Sequence, residues 1–461
     1  MKWSRLVTEL EYTLVNEGPL HIGAQEGELL IDDSGRAVIP GTSLAGSMRH
    51  YAEDRGINLE LIDKLFGTER ENNPKESSAL IVCDARSDVT SIPIEARPGV
   101  RINGRFGSVD GRGKFERIFI PNGITFHGKL VWTSEDEDTH TQFDEIILQC
   151  LRALDQGIIR LGRYKSSGGG HVRVVSAQSR TYDLENPEQL FQFIESSLLE
   201  GSSMEHADKF WLERIRDEGH SDTYRFEMGI DLSQPLLVRG SGRHDHNEPD
   251  ASPIRRMDGK YIIPGSSWRG TLRHQVHRIL DYLDKRDLEE IAFGAASKDE
   301  HRTGVVQVWD AVIDPDDSLQ RQEIDYYGIR IDKFTGGVRS MALKRERTIR
   351  GKAVLRLNIH PSAKQSDARA IAGLLVLALR DLAEQGFSLG SGSGTGRGFV
   401  AGQYLHIRSP EGDVGIDFSK QEVSNPDILQ LWLTALEQWL PPEAHREEPS
   451  MGRRKYGTVA G

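Results

Sequence analysis

Hydrophobic and polar residues follow two kinds of periodicity along this chain, and each kind occurs twice in the same order. Residues 6–16 and 224–233 alternate, which predicts strands with one buried face. Residues 43–55 and 267–284 are amphipathic and follow Pro-Gly-[ST]-Ser, a typical helix start. Similar patterns predict strands at 117–132, 349–358, 171–176 and 398–405, and helices at 142–156, 366–385 and within 187–215. The order strand, helix, strand, strand, helix, strand is typical of a ferredoxin-like α+β sheet.

Short sequence blocks repeat at a nearly constant spacing. IPGTSLAGSMRH from Ile39 corresponds to IPGSSWRGTLRH from Ile263, and the pairs KLFG/IAFG, VCDA/VWDA and LGRYKSSGGGHVRV/LGSGSGTGRGFVAG follow in the same order. The later pairs align Gly67 with Gly294, Asp84 with Asp310, and Leu161 with Leu389. This regularity indicates a duplicated domain. We therefore expect a first domain at 1–176, a linker at 177–222, a second domain at 223–408, and a C-terminal helix around 426–440 with a mobile tail within 409–461.

The composition excludes several classes of protein. Cys83 and Cys150 are the two cysteines, too few for a disulfide framework or a Cys-rich zinc site. No stretch reaches the roughly 18 apolar residues of a membrane span, and the N-terminus lacks the apolar core of a signal peptide. We expect a soluble, cytoplasmic protein with no membrane partner.

The charge is acidic overall but basic in places. A net charge of −12 argues against a protein that coats DNA. Basic residues nevertheless cluster at corresponding places in the halves: Arg97, Arg101, Arg105, Arg112, Lys114 and Arg117, then Lys333, Arg339, Lys344, Arg345, Arg347, Arg350 and Lys352. Solvated surface is the simplest interpretation of any one of these charges. Their recurrence favours a bound polyanion.

A glycine-rich segment follows the second main helix of each half. The segments contain Lys165, Gly168 and Gly169 in the first half and Gly394, Gly396 and Arg397 in the second. Neither fits GxxxxGK[ST], and both run from helix to strand, opposite to nucleotide-binding loops. We therefore expect no bound nucleotide. The segments are either loops along an RNA backbone or ordinary connections that begin at a helix stop.

The two Pro-Gly-[ST]-Ser helix starts offer a second anion-binding pattern. Ser43 and Ser267 are candidates to cap their helices, and free N–H groups at a helix start also bind anions. Arg49 and Arg273 follow further along the two helices, and Arg269 precedes Arg273 in the second half. Arginine suits bidentate phosphate contacts. These residues are candidate RNA ligands.

Acidic residues precede the helix start in both halves. The second half contains, in GSGRHDHNEPDASPIRR, the residues His244, Asp245, His246, Glu248 and Asp250. The spacing that aligns Ile39 with Ile263 also aligns Glu26 with Asp250, and Asp32 and Asp33 lie further on. Carboxylates beside a phosphate track bind a divalent metal or move a proton, unless the loop is simply a solvated acidic one.

The ordered set of blocks resembles the RAMP superfamily, the repeat-associated proteins of CRISPR effector complexes. That family carries an [IY]PG[ST]S-x-[RK]G-x-[LM]R helix start, an [LF]FG, a D-A strand and a late glycine-rich loop, which correspond to the blocks quoted above. Each half resembles a backbone subunit of type III complexes, and two fused halves resemble the double subunits of III-D-like complexes. The resemblance covers about three quarters of the chain, without the linker and the residues from 409 on.

The resemblance implies two tandem ferredoxin-like, RNA-recognition-motif-like domains with inserted β-hairpin thumbs, which fall within 85–116 and 311–347. It also implies partners: guide RNA, complementary target RNA and other CRISPR effector subunits. A D-x-P-[IV]-R-like stretch of the family matches DASPIRRMDGKYIIPG, so Asp250 is expected to cleave target RNA with Mg²⁺ or Mn²⁺. The first half departs from this pattern, and Glu26, Asp32 and Asp33 are its candidate substitutes.

Three interpretations stay open. The chain is a guide-binding subunit with a metal-dependent endoribonuclease site, or a binding scaffold in which these acids have no catalytic role. The third is a guide-processing endoribonuclease that works without metal through a general acid/base histidine, for which His21, His244 and His246 are candidates. Metal dependence distinguishes the first from the third, and an Asp250→Ala variant distinguishes the first from the second.

Overall fold

The chain folds into two α+β units, each built on an antiparallel sheet. The computed structural model describes residues 5–23, 27–68, 77–102, 109–198, 210–216, 223–240, 248–296, 301–339 and 343–441. Several sequence predictions lie outside these residues, namely those for Glu26, Arg105, the side chain of Arg112, His244, His246 and the tail beyond 441.

The first unit contains the predicted order of elements with extra short strands. Its elements are β1 (Leu6–Asn16), β2 (Val38–Ile39), α1 (Gly41–Asp54), α2 (Leu59–Phe66), β3 (Leu80–Val82), β4 (Ala85–Ser87), β5 (Glu95–Ile102), β6 (Val109–Phe119), β7 (Thr125–Ser134), α3 (Glu137–Asp155), β8 (Val172–Asp183), α4 (Pro187–Leu198) and α5 (Phe210–Arg216). The sheet order is β2-β4-β7-β1-β8, with β3 also paired to β7, while β5 and β6 form a separate hairpin.

The second unit repeats this plan. Its elements are β9 (Tyr224–Leu236), β10 (Ile262–Ile263), α6 (Gly265–Leu283), α7 (Asp287–Phe293), β11 (Gly294–Ala296), β12 (His301–Thr303), β13 (Val306–Val308), β14 (Ala311–Asp314), β15 (Glu323–Gly328), β16 (Lys344–Ile359), α8 (Gln365–Ala383), β17 (Ala401–Arg408), β18 (Val414–Asp417), β19 (Glu422–Val423) and α9 (Pro426–Gln438). The order β10-β14-β16-β9-β17 matches the first sheet, and β18 and β19 extend it. No described helix is long and apolar enough to cross a membrane.

Local periodicity explains the central elements. In β1, Leu10 and Leu14 stand on one face of the strand and are fully buried. They belong to the same core cluster as Ile147 and Leu151, which lie four residues apart on α3 and therefore share one helix face. Asp136 begins α3 by accepting a hydrogen bond from the Thr139 N–H at 2.8 Å. Sheet and helix thus meet through the faces that the pattern predicts.

One predicted strand, at 117–132, is instead two strands. β6 ends at Phe119 and β7 begins at Thr125. The intervening Pro121-Asn122-Gly123 contains a glycine with φ +89°, a conformation that suits a turn and not a strand. The break separates the β5–β6 hairpin from the main sheet.

The predicted linker, 177–222, in part belongs to the first unit. Its first residues continue β8 to Asp183, where they pair with β1. Trp211 and Ile215 of α5 are buried in the first core. Likewise α9 is not an appendage, because its Trp432 and Leu436 lie in the second core.

Candidate nucleic-acid interface

Asp250 is held at the base of the hairpin formed by β15 and the start of β16. The backbone N–H of Arg345 donates to the Asp250 carboxylate at 2.6 Å. One residue on, the carbonyl oxygen of Ala251 accepts from the N–H of Arg347 at 2.8 Å. The side chain of Asp250 is exposed. An acid predicted from sequence therefore has a fixed position and remains open to a ligand.

Ion pairs crowd the same hairpin base. We define the hairpin-base cluster as the cations Arg239, Arg255, Lys344, Arg345, Arg347 and Arg397 with the carboxylates Glu323, Asp325 and Glu346. Asp325 contacts Arg347 at 2.8 Å and Arg345 at 2.5 Å. The cluster holds six cations against three carboxylates, so it stays positive even when Asp250 is counted beside it. Such an excess attracts a polyanion.

The carboxylates of this cluster are firmly ionised. Hydrogen bonds from Arg347, and then from Arg345, lower the pKa of Asp325 to about 2. Burial alone would raise the pKa of Glu346, but hydrogen bonds from Lys344 and Arg397 outweigh it and lower that pKa to about 2. These two acids therefore keep the arginines oriented and are poor candidates for proton transfer near neutral pH.

The described residues do not form a protein cage for a metal. No group of three or more His, Cys, Asp and Glu side chains among them is arranged to hold an ion. Asp250 offers one carboxylate. Mg²⁺ is often bound by one or two carboxylates, with water and substrate phosphates completing its shell. The described residues at this place therefore fit a cation that is shared with the nucleic acid.

The first half has a matching segment at this place. The N–H of Leu30 donates to Ile22 O at 2.9 Å, as the N–H of Ile254 donates to Val238 O at 2.9 Å. Leu30 and Ile254 stand at the same spacing as the two helix starts, so the segment pairs Asp250 with Glu26. Glu26 itself lies outside the described residues, so its role opposite Asp250 stays a prediction.

Asp32 and Asp33 lie beyond this segment, in a turn. Asp32 accepts hydrogen bonds from the Ser34 hydroxyl at 2.6 Å and from the Arg36 N–H at 2.9 Å, which lower its pKa. The same spacing pairs Asp32 with Arg256 and Asp33 with Met257. The turn therefore engages Asp32, which makes it the weaker candidate, whereas Asp33 is exposed. A catalytic role for either acid in place of Asp250 stays a prediction.

The helix starts are capped differently from the prediction. The Gly41 N–H donates to Asp84 at 2.9 Å, and the Gly265 N–H donates to Asp310 at 2.7 Å. Neither α1 nor α6 has a cap hydrogen bond from a side chain of its own first residues, so the capping role expected of Ser43 and Ser267 is wrong. Because each helix start already faces a carboxylate, its attraction for phosphate is reduced.

The arginines of these helices point towards neighbouring segments of the protein. Arg49 is buried, contacts Asp63 at 2.8 Å and donates to Gly67 O. Arg269 donates to Phe293 O at 2.9 Å, and Arg273 pairs with Glu289 at 2.7 Å. Arg49 therefore has a structural role in place of the predicted phosphate contact, because its guanidinium already has protein partners. Arg269 and Arg273 are less enclosed and stay candidates.

The second glycine-rich loop is preformed and open. Leu389 N–H donates to Gly398 O at 2.8 Å and closes the loop, as Leu161 and Gly170 do in the first half at 2.9 Å. Gly394 and Gly396 are exposed, with open space where a side chain would stand. Arg397 lies over the Tyr326 ring at 4.3 Å and pairs with Glu346. The predicted RNA-binding residues of this loop thus lie next to the hairpin-base cluster.

The first glycine-rich loop lies against the second unit. Ser167 forms a β-bridge with Val308, and a side chain on Gly168 would stand 2.5 Å from the Asp310 carboxylate. Gly168 and Gly169 are buried, while Lys165 is exposed. RNA contact through this loop stays a prediction, and Lys165 is its accessible part.

Arg97 and Arg160 complete the junction between the units. Arg97, on the β5–β6 hairpin, donates to Asp310 and to Glu95, each at 2.5 Å, and is buried. Arg160 lies over the Trp309 ring at 4.1 Å and donates to Val308 O at 2.7 Å. The sequence pattern placed Arg97 in a basic stripe and suggested no role for Asp310. The signal available was the aspartate repeated in VCDA and VWDA.

His21, a candidate acid/base group, is also enclosed. It is buried, its Nδ1 hydrogen-bonds to Ile118 O at 2.8 Å, and its ring packs edge-on against Phe119 and Tyr164. It therefore serves packing and not catalysis in this conformation.

Comparison with known proteins agrees with the duplicated architecture. The family model of the RAMP superfamily matches residues 13–173 and 230–401. The CRISPR system Cmr endoribonuclease Cmr4 of Pyrococcus furiosus is 25% identical over 125 residues, which cover 26% of this chain and 41% of that relative. The alignment thus spans less than half of the relative's length. Because the family model matches well over half of this chain, in two regions that coincide with the two structural units, the chain belongs to the RAMP superfamily.

Proposed function

We propose that this chain is a guide-RNA-binding backbone subunit of a type III CRISPR ribonucleoprotein, and that its second half cleaves target RNA paired to the guide. The observation that carries the proposal is the fixed, exposed carboxylate of Asp250 at the base of a positively charged hairpin in a RAMP unit. The name of the relative, an endoribonuclease, supports RNA cleavage as the activity.

The two units would be ferredoxin-like cores with hairpin thumbs. The strand order β8-β1-β7 with β3 and β4, and its counterpart β17-β9-β16 with β13 and β14, support this assignment. The hairpins β5–β6 and β15–β16 lie in the regions where the resemblance expects thumbs. A thumb at each unit would give the guide two equivalent positions along one chain.

Guide binding would rest on phosphate contacts. Gly394 and Gly396 leave the loop backbone open to a phosphate chain, and the hairpin-base cluster supplies the positive field. Such contacts fix register but carry no sequence information, so the target would be selected by base pairing with the guide.

Asp250 would act on the ribose or on the water beside the scissile phosphate. Its carboxylate can accept a proton from a 2′-hydroxyl or help to hold a divalent ion, and such an ion would stabilise the charge that develops on the phosphate. The first half would serve guide binding, with any activity depending on Glu26, Asp32 or Asp33.

The test is cleavage of paired target RNA by the assembled complex, with the natural chain compared with Asp250→Ala. We expect loss of one cut by about 100-fold or more in rate, since one acid/base group contributes on that order. Glu248→Gln, an exposed acid two residues away, is the matched control and should cleave normally. Guide content should be unchanged in both variants.

The other interpretations predict different results. Full cleavage by Asp250→Ala would show that the chain is a scaffold or uses other residues. Cleavage that persists after removal of Mg²⁺ and Mn²⁺ with a chelator would favour the metal-independent histidine reaction. Loss of a second cut in Glu26→Ala would make both halves active.

A further inference from the structure

The first unit packs on a surface of the second unit that includes Asp310 and Val308. The first unit has an equivalent surface of its own. Asp84 corresponds to Asp310, and each accepts the first N–H of its helix. The Asp310 side chain is 7% exposed at the junction, whereas that of Asp84 is 43% exposed. Ile81 on the neighbouring strand is 59% exposed, whereas its counterpart Gln307 is 8% exposed. The first unit therefore carries the same receiving surface in an open state.

A groove accompanies this surface. It has a volume of about 440 Å³ and polar walls that include Tyr12, Cys83, Asp84, His127 and Lys129. Cys83 corresponds to Trp309: the Cys83 N–H donates to Lys129 O at 3.0 Å, and the Trp309 N–H donates to Arg356 O at 3.0 Å. On the second unit the equivalent place is filled by Arg160 and the first glycine-rich loop.

We propose that the open surface around Asp84 binds a RAMP-type domain of a different subunit, which places an arginine of its hairpin against Asp84 and its glycine-rich loop on Val82 and Gly41. The proposal deepens the proposed function, on which it rests, by stating the chemistry of the neighbour. Its basis is the internal junction, in which Arg97 and the loop at Ser167 dock in this way on Asp310 and Val308.

Charge at Asp84 supports an arginine as the incoming group. Asp310 is neutralised by the buried Arg97 at 2.5 Å. Asp84 is paired with Arg86 at 3.3 Å, whose side chain is half exposed. Covering Asp84 with another protein would bury a carboxylate whose ion pair among the described residues is with Arg86, a half-exposed arginine two positions along the chain. A buried carboxylate without a close cation is costly, so a fitting partner must supply one.

A second copy of this chain does not meet that requirement. The sequence KFERIF at 114–119 matches KRERTI at 344–349, which aligns Arg117 with Arg347. In the two hairpins, Arg117 pairs with Arg97 and Arg347 pairs with Asp325. Asp325 therefore occupies the position in the second unit that Arg97 occupies in the first. Ser388 precedes Leu389 as Arg160 precedes Leu161, so a serine stands at the position of Arg160. The second unit therefore lacks both arginines that hold the internal junction, and the chain is not built to stack on itself.

Cysteine chemistry offers a direct test in the assembled ribonucleoprotein. Cys83 is exposed and Cys150 is buried, so N-ethylmaleimide reports on Cys83 in the natural chain. We expect the rate of Cys83 labelling to fall by about tenfold or more on assembly, because a close-packed interface excludes the reagent. Raising the concentration of the free chain should not change this rate, because the chain is not expected to bind a second copy of itself. An amine-reactive cross-linker on Lys129, in the groove, should join it to a RAMP subunit other than this chain, near that subunit's glycine-rich loop.

The variant Asp84→Arg should lower both the protection of Cys83 and the cross-link by about tenfold or more, because two cations would then face each other. Glu195→Arg, at an exposed position on α4, is the control for the charge change and should assemble normally. Thermal unfolding of the free Asp84→Arg chain checks that it is folded. Equal labelling of Cys83 before and after assembly would overturn the proposal, as would a cross-link to a second copy or protection that RNase removes.

These outcomes are separate from the test of the proposed function. Guide RNA content and target cleavage can both fail while Cys83 is still protected by a protein neighbour. Conversely, cleavage at Asp250 can persist in a particle in which the Asp84 surface stays open.

Discussion

At the residue scale, the role of a charge is decided by what lies beside it. Arg97 and Arg101 stand on the same strand and look alike in sequence. Arg97 is buried between Glu95 and Asp310, whereas Arg101 is exposed. A buried charge requires partners, because desolvation costs more than an isolated ion can recover. Arg97 therefore fastens two units together, while Arg101 remains available to solvent or to RNA.

The variant Arg97→Ala should destabilise the free chain strongly. It leaves Asp310 and Glu95 buried without their common cation, for which a loss of about 3–5 kcal/mol in the free energy of unfolding is expected. Arg101→Ala is the control and should change it by less than about 0.5 kcal/mol. Urea unfolding followed by tryptophan fluorescence measures both, and equal midpoints for the two variants would contradict the role given to Arg97.

At the scale of elements, the glycine-rich loops show how one backbone shape serves two surroundings. Both are closed by the same hydrogen bond, from Leu161 to Gly170 and from Leu389 to Gly398. Gly398 has φ +78°, and a side chain on it would stand 2.0 Å from Leu389 O. Position 398 therefore requires glycine if the hydrogen bond that closes the loop is to form. Of the exposed glycines in the second loop, Gly396 shares the left-handed backbone, with φ +77°, but meets no steric clash, and Gly394 has neither constraint. The open space beside both is available to a ligand.

This difference can be measured within one loop. Gly398→Ala should lower the free energy of unfolding by more than about 1 kcal/mol, since it combines a left-handed backbone with a steric clash. Gly394→Ala, where a side chain meets open space, should stay within about 0.5 kcal/mol. Thermal unfolding distinguishes the two. A Gly394→Ala variant that folds normally but binds guide RNA less tightly would further support the loop as a phosphate site.

At the scale of the whole molecule, two histidines lie close to the junction between the units, His171 buried and His360 partly buried. The Nδ1 atom of His171 accepts a hydrogen bond from the indole N–H of Trp309 at 3.1 Å, and the ring of His360 lies 4.0 Å from the Asp54 carboxylate. Burial, with the nearby Arg160 charge, lowers the pKa of His171 to about 3. Burial, with His50 and Arg160 nearby, lowers the pKa of His360 to about 4. Both side chains are therefore neutral in the folded chain near neutral pH.

These shifts predict that acid weakens the fold. Unfolded histidine has a pKa near about 6.5, so below that pH the unfolded chain takes up protons that the folded chain excludes. The contribution of these histidines to the free energy of unfolding should be fully present above about pH 6.5. By pH 5, protonation of His171 in the unfolded chain alone should lower that free energy by about 2 kcal/mol. Glu17, 3.6 Å from the His171 ring, would offset part of this loss.

Urea unfolding at pH 7 and pH 5 measures the effect. His171→Gln should reduce the difference between the two pH values, whereas the exposed His127→Gln should leave it unchanged. A free energy of unfolding that is the same at pH 7 and pH 5 in the natural chain would contradict the assignment.

Much of this architecture could be read from the sequence because it depends on local patterns. Alternation in β1, the helix start before Leu44 and the helix stop at Gly157 are each encoded within a few residues. The duplication followed from four blocks at a nearly constant spacing, and it led to the family. Asp250 could be selected as a candidate acid because its neighbours in sequence resemble a known motif.

Only the tertiary structure decided which charges are partners and which are ligand sites. Arg49 became a buried structural residue, and Asp84 and Asp310 became helix caps, through contacts with elements far along the chain. Arg97 and Asp310 are 213 residues apart, and no local pattern links them. The sequence by itself determined the elements and their repetition, since these follow from short-range periodicity. The folded arrangement determined the junction and the open surface, since these depend on how distant elements pack.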